Sequence, residues 1–259
     1  MKPLPLRSAA CLLIALTAVA TAYQSPARPT PIEAAPGAPA ASPVAYLPLV
    51  RTPVRVFRDD FSNPTSGWLD RDEGHAVFGY VGGEYRILVR TAGNAAWAWN
   101  DQAQGSDFRV EVDARGYSGS GYPGIAFNAT TGGGYLYLAG DGKFTFLVCA
   151  AGACSTLLSL QNTPFVHAGS QSNRLKVVRN GSAIELYANG QQLSSLSDST
   201  LSGGYVGVTA LATADNYEAR FDNFLAVFDP NDTTTTGASL PSVTMAQPPK
   251  AGRAKVTLR

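Results

Sequence analysis

Two carboxylates in the run Phe108 to Arg115 could do chemistry, and they are close neighbours. Glu111 and Asp113 are separated only by Val112. Alternate residues of a strand project from one face about 7 Å apart, given a rise of about 3.3 Å per residue. Two carboxyl groups flanking a glycosidic bond are what glycoside hydrolysis requires. Arg109 and Arg115 bracket the pair, so the row also reads as a solvated or ligand-contacting face of alternating charge. A second chemistry belongs to the aromatics. Trp97 and Trp99 lie two apart and share a face, as do Tyr135 and Tyr137. Flat rings stack on the apolar faces of pyranose sugars, and polar neighbours such as Asn128 and Asp101 could bond sugar hydroxyls. The other reading of each pair is core packing. Tyr117 and Tyr122 stand in a Gly/Ser-rich segment, where a loop on a rigid scaffold offers a binding position. Asp59, Asp60, Asp222 and Asn223 carry hard oxygens that would suit Ca²⁺, but adjacent acids on a strand point to opposite faces and no calcium-loop spacing is present. His75 and His167 have no nucleophile motif beside them. No cofactor and no metal are expected.

The elements that must position these residues are strands. Phe108, Val110, Val112 and Ala114 alternate with Arg109, Glu111, Asp113 and Arg115. Tyr85, Ile87 and Val89 form a second such run, Leu175 and Val177 a third, and Tyr217, Ala219 and Phe221 a fourth. A period of two means that one face of each strand is buried. Gly82-Gly83, Asp141-Gly142, Asn180-Gly181 and Asn189-Gly190 are two-residue hairpin signatures that supply the positive φ angles such turns need. No comparable segment carries a helical stripe. About a dozen short strands predict an antiparallel sandwich. The segments Phe57–Phe61 and Phe221–Phe224 resemble each other, so the first and last strands of the domain are expected to pair.

Cys149 and Cys154 flank Ala150-Ala151-Gly152-Ala153. A hairpin with that four-residue loop would set the sulfurs opposite each other, and in an exported protein they would form a disulfide. So short a closed loop stabilises by only about 2 kcal/mol.

Asp59-Asp60-Phe61 with Gly67-Trp68, then Gly124-Ile125-Ala126-Phe127-Asn128, Tyr135-Leu136-Tyr137-Leu138 and Asp141-Gly142-Lys143-Phe144, occur in a telling order. Asn173-Arg174-Leu175-Lys176-Val177, Ile184 through Gly190, Gly204-Tyr205-Val206-Gly207-Val208 and Phe221-Asp222-Asn223-Phe224 complete the series. Together they resemble bacterial concanavalin A-like lectin/glucanase (laminin-G-like) jelly-roll domains over nearly all of 57–228. The resemblance implies an all-β, two-sheet antiparallel jelly-roll sandwich with one concave face. That superfamily contains sugar-binding modules, glycosidases and adhesion domains, so the fold does not choose among them. Its laminarinase-like glycosidases use a Glu-x-Asp-x-Glu or Glu-x-Asp-x-x-Glu strand. Glu111 and Asp113 match the first two positions, but Arg115 and Gly116 stand where the last acid belongs. An enzyme is therefore not favoured.

The ends of the chain differ from its middle. Residues 1–22 read as a secretory signal: Lys2 and Arg7 are followed by an apolar stretch from Ala9 to about Val19 and then Ala20-Thr21-Ala22. Cys11 precedes most of that stretch, which argues against lipidation. Residues 23–53 read as a Pro/Ala-rich linker, and 23–50 hold 7 of the 17 prolines. Residues 229–259, with no aromatic, four consecutive threonines at Thr233–Thr236 and a basic end, read as a disordered tail. Of the 259 residues only 15% are charged, against about 25% in a typical protein. The net charge of +1 becomes −1 when the signal leaves, with 18 basic residues against 19 acidic. This balance excludes a nucleic-acid binder that relies on excess Lys and Arg, and the mature chain is expected to have no membrane span. The expectation is thus a secreted, non-catalytic domain over 54–228 that binds a polysaccharide or cell-surface glycan on its concave face. Its contact residues would come from Trp97, Trp99, Arg109, Glu111, Asp113, Tyr117, Tyr122, Asn128, Tyr135 and Tyr137. Two alternatives stay open: a glycoside hydrolase of the same superfamily and a structural adhesion domain.

Overall fold

The computed structural model describes residues 54–229 and 250–258. The expected signal peptide and the expected linker, residues 1–53, lie outside the described residues. The described residues form sixteen strands and no helix. In chain order they are β1 (Arg55–Asp59), β2 (Arg71–Asp72), β3 (Ala76–Val81), β4 (Glu84–Val89), β5 (Asn94–Gln104), β6 (Phe108–Ser118), β7 (Gly121–Ala129) and β8 (Gly133–Gly140). Then come β9 (Lys143–Ala150), β10 (Ala153–Asn162), β11 (Asn173–Asn180), β12 (Ala183–Ala188), β13 (Gln191–Ser197), β14 (Tyr205–Ala212), β15 (Tyr217–Phe228) and β16 (Ala251–Lys255).

The first sheet runs β13-β12-β11-β6-β15-β4-β3-β2, with β1 also paired to β15. The expected pairing of the first and last strands of the domain is present: Arg55 faces Phe228 and Asp59 faces Phe224. Asp59 then fixes the corner after β1. Its Oδ1 accepts the Phe61 backbone N–H at 2.8 Å and its Oδ2 accepts the Trp68 indole N–H at 2.9 Å. That explains why an acid, Phe61 and Trp68 occur together. The alternation read from the sequence holds on β6, where Phe108, Val110, Val112 and Ala114 are buried and the charged residues face outward.

The second sheet runs β10-β16-β5-β14-β7-β8-β9 and closes on itself as a barrel. One of its faces packs on the first sheet: Ile125, Phe127, Tyr135, Tyr137 and Phe146 belong to the core between the layers. Phe127, Tyr135 and Phe146 stack there with centroids 5.0–5.7 Å apart. The alternate residues, among them Trp97, Trp99, Leu136, Leu138, Leu147 and Cys149, form a second core inside the barrel. With both faces buried, β8 is buried from Gly133 through Gly140. The molecule is a jelly-roll sandwich whose second layer is rolled shut.

The hairpins follow the turn chemistry with two changes. Asn180 is the last residue of β11 and pairs with Ala183, so the turn residues are Gly181-Ser182, with Gly at the position needing positive φ. The cysteine hairpin is tighter than the expected four-residue loop. Ala150 pairs with Ala153, and Ala151 and Gly152 alone make the turn at φ 51° and 80°. Cys149 and Cys154 sit directly opposite each other, with Cα atoms 3.9 Å apart, and form the expected disulfide.

The expectation of a disordered 229–259 tail needs correction. Ala251–Lys255 is a strand, antiparallel to β5 from Ala251–Ala98 to Lys255–Asn94. It reaches β10 through Ala153–Lys255, which closes the barrel. Gly252 lies opposite Trp97, and a Cβ on it would stand 2.3 Å from the indole ring. Only glycine lets the strand lie this close over the ring. Residues 230–249 lie outside the described residues.

Gly252→Ala should therefore lower stability by about 1–3 kcal/mol in urea unfolding, as overpacking does. Deleting 250–259 should move tryptophan emission to longer wavelength as Trp97 and Trp99 meet water. An unchanged midpoint and spectrum would show that β16 does not seal the barrel.

Candidate functional site

The ten candidate contact residues fall in separate parts of the described structure. Trp97 and Trp99 do share a face, but that face is the inside of the closed barrel, where they are 0% and 3% exposed. The Trp97 indole N–H donates to the Thr130 carbonyl at 3.0 Å, and Trp99 stacks on Tyr205 at 5.1 Å. Tyr135 and Tyr137 face the core between the layers and are fully buried. The Tyr135 hydroxyl bonds Asp198 and accepts the Leu201 N–H at 3.0 Å, while the Tyr137 hydroxyl donates to the Tyr187 carbonyl at 3.0 Å. Asn128 is buried as well. It donates to the Gly203 carbonyl at 2.8 Å and accepts from the buried Arg179 guanidinium. These five residues hold the fold and present no surface to a ligand.

Arg109, Glu111 and Asp113 lie on the outer face of the first sheet. Arg174 on β11 reaches across to both acids, with Nε 3.2 Å from Glu111 Oε2 and one terminal nitrogen 3.3 Å from Asp113 Oδ1. It also donates to the Asn223 carbonyl at 2.7 Å. Asn223 sits at an irregularity in the β15–β6 ladder at φ 51°, and its amide donates to Asp113 Oδ2 at 2.9 Å. Arg109 is 3.5 Å from Glu111 Oε1. Where a third carboxylate would stand, Arg115 pairs with Glu84 at 3.0 and 2.7 Å. Both acids are thus tied into a surface ion-pair network. A polar groove of about 810 Å³ opens beside it, bordered by Arg58, Asp60, Arg174 and Asn223, but its rings Phe57 and Phe224 are turned inward.

The acids and histidines weighed for metal or catalysis are scattered. Asp59 spends both oxygens on its corner, Asp60 caps Ser62, and Asp222 accepts the Asn223 N–H at 2.7 Å. Among the described residues no group of three or more His, Cys, Asp or Glu could hold a metal ion. His167 Nδ1 lies 3.0 Å from the Ser172 carbonyl, and His75 packs edge-on to Phe78.

Tyr117 and Tyr122 are the two candidates that converge. The β6–β7 hairpin crosses the rim of the sandwich beside the β8–β9 turn and the start of β15. These elements enclose a cavity of about 330 Å³, near the small end of the roughly 300–1,000 Å³ range of ligand pockets. Tyr117 stands at its mouth with 52% of its surface exposed. Its ring is held by two cations, Arg220 at 4.3 Å and Arg115 at 5.2 Å from the centroid. Each cation is itself paired, Arg115 with Glu84 and Arg220 with Glu218. Tyr122 lines the wall. Burial, then the charge of Asp141, raises its hydroxyl pKa, so it stays protonated. Ser118, Ser120 and Thr213 add hydroxyl-bearing side chains, and among the described residues no Lys or Arg lines the cavity.

The sequence reading missed Tyr217. It stood in the strand pattern only as a buried apolar position. It is 1% exposed and lines this cavity, with its ring under the hairpin where a Cβ on Gly121 would stand 2.5 Å from it. Its hydroxyl is buried and has no hydrogen-bond partner among the described residues. Such an orphan costs about 1–3 kcal/mol. No local sequence signal marks it, because the vacancy is made by three loops distant in the chain.

No family model matches the chain, and no curated protein matches it. Similar solved structures include a carbohydrate-binding module, CBM66, from Bacillus subtilis: 24% identity, TM-score 0.42, covering 67% of this chain and 93% of that one. A Bacillus licheniformis β-glucanase has 14% identity and TM-score 0.49, covering 67% and 97%. The catalytic domain of an endo-1,3-β-glucanase (laminarinase) from Thermotoga petrophila RKU-1 has 9% identity and TM-score 0.47, covering 70% and 100%.

The acidic face yields a prediction. Partial burial, with Asp113, Glu84 and Asp60 nearby, raises the Asp222 carboxyl pKa despite the Asn223 N–H. The folded chain therefore holds this proton more tightly than the unfolded chain. The ionised side chain opposes folding at neutral pH, and that penalty fades as pH falls below the ordinary carboxylate range. Asp222→Asn should unfold at higher urea than the parent at neutral pH, with the gap closing near about pH 3. A less stable variant at neutral pH would contradict this account.

Proposed function

We propose that the protein is an exported, non-catalytic module that binds a glycan at the rim cavity rather than on a concave face. The observation that carries this reading is Tyr117: an exposed ring, fixed by two paired cations, at the mouth of a cavity lined by hydroxyls and backbone. A held aromatic plane beside hydrogen-bonding groups suits a ligand that is apolar on one side and hydroxylated at its edge. The ring loses little freedom on binding because Arg115 and Arg220 already orient it. The face expected to bind is filled by the barrel core, which favours the rim. Binding without hydrolysis is supported by Arg115, which meets Glu84 where the superfamily's glycosidases have their acid. Export rests on the N-terminal sequence pattern and the disulfide.

The test is affinity electrophoresis through gels containing soluble polysaccharides, with parent and Tyr117→Ala side by side. At least one neutral polysaccharide should retard the parent. Tyr117→Ala should weaken that binding about tenfold, equivalent to about 1.4 kcal/mol, with an unchanged unfolding midpoint. Glu111→Gln should bind as the parent does. Equal retardation of Tyr117→Ala and parent, or retardation of neither, would sink the reading.

A further inference from the structure

We infer that the buried hydroxyl of Tyr217, a residue that lines the rim cavity, is a ligand-binding donor that makes the site select uncharged sugars over acidic ones. The inference rests on the reading of this cavity as a glycan site. Three facts lead to it. Tyr217 is 1% exposed, yet its hydroxyl finds no partner among the described residues. Buried polar groups are almost always paired, so a vacancy of this kind calls for a partner supplied from the cavity. The ring cannot turn away to find one, because the β6–β7 hairpin crosses it closely. A Cβ on Gly121 would stand 2.5 Å from the ring, and one on Gly116 would stand 3.3 Å from the hydroxyl oxygen.

The second fact is the state of that hydroxyl. Burial, with Tyr122 nearby, raises its pKa well above the ordinary phenol value. It keeps its proton at every physiological pH and can donate to a sugar oxygen. The third fact is the charge of the surroundings. Asp141 is the sole carboxylate lining the cavity among the described residues, and its field reaches Tyr122. The two cations over the Tyr117 ring are each engaged by an acid, Arg115 with Glu84 and Arg220 with Glu218. A carboxylate-bearing sugar would meet Asp141 and, among the described residues, no Lys or Arg in the lining, whereas a neutral hydroxyl would meet a donor in Tyr217 and acceptors in the serine and threonine side chains.

Tyr217→Phe is the direct test, since it keeps the ring and removes only the oxygen. Binding would be measured by calorimetry with neutral gluco-, manno-, galacto- and fructo-oligosaccharides and with oligogalacturonate. Tyr217→Phe should bind the preferred neutral sugar about tenfold more weakly, while unfolding at the same or a higher temperature because an orphan group is gone. The parent should bind oligogalacturonate worse than the neutral sugars. Asp141→Asn should narrow that difference several-fold. Loss of binding in Tyr117→Ala with no change in Tyr217→Phe would overturn the inference and leave the glycan site standing. Preference of the parent for oligogalacturonate would also overturn it. Binding of none of the probes by the parent would remove both.

Discussion

The fold depends on one contact between a ring and a missing side chain, the indole of Trp97 beneath Gly252. The second sheet is apolar on both faces. One face is covered by the first sheet, but Leu136, Leu138 and Leu147 on the other would be wet in an open sandwich. Burial of such surface contributes about 25 cal/mol per Å². The sheet curls until β5 and β10 nearly meet, and β16 fills the gap. A strand lying over an indole at this distance can carry no Cβ at the crossing, and Gly252 meets that constraint. Ala251 and Ala254 beside it keep the seam shallow, while Arg253 and Lys255 take the outward positions. Lys250 secures the start of the strand by its ion pair with Asp101 at 2.7 Å and its bond to the Gly67 carbonyl at 3.1 Å.

Closing the barrel decides where function can lie. A filled interior has no room for a sugar, and the tryptophans become part of the scaffold. The outer face of the first sheet is charged but mutually neutralised around Arg174. The rim, our proposed site, is where hairpins end and side chains need not pack on both sides. Loops on a rigid support commonly bind for this reason. Here the support is rigid in a specific sense: Tyr217 belongs to β15, a strand paired with β6, β4 and β1, so the cavity floor is fixed by the sheet beneath it.

The parts legible in the sequence were those set by local rules. Period-two runs mark the strands, Asn-Gly and Asp-Gly mark turns, and the cysteine spacing marks a cross-strand bridge. Which face a shared pair occupies is a different kind of fact. Trp97 and Trp99 look alike whether they line a groove or fill a barrel, and the choice is made by a strand some 150 residues later. That strand, Ala-Gly-Arg-Ala-Lys, has neither branched nor aromatic residues. Its residues are selected by closeness to Trp97 rather than by strand propensity, so intrinsic preference points away from the truth. Tyr217 was hidden differently. Its place in the strand was visible, but an unpaired hydroxyl is a property of three converging loops.

The row Arg109, Glu111, Asp113 and Arg115 joins these levels. Read as a sequence it is a solvated face of alternating charge, and for its first three members the structure gives that arrangement, linked through Arg174. At the fourth the partners change. Arg115 turns from that network to Glu84, and the same guanidinium approaches the ring of Tyr117 two residues on. Arg220, paired to Glu218 and 3.6 Å from Glu84, meets that ring as well. A cation near an aromatic ring contributes about 0.5–1 kcal/mol when exposed, little for stability but enough to favour one orientation of a ring that would otherwise swing free. The charged stripe therefore ends by setting the plane against which a ligand would stack. Arg115 is what ties the outer face of the sheet to the rim.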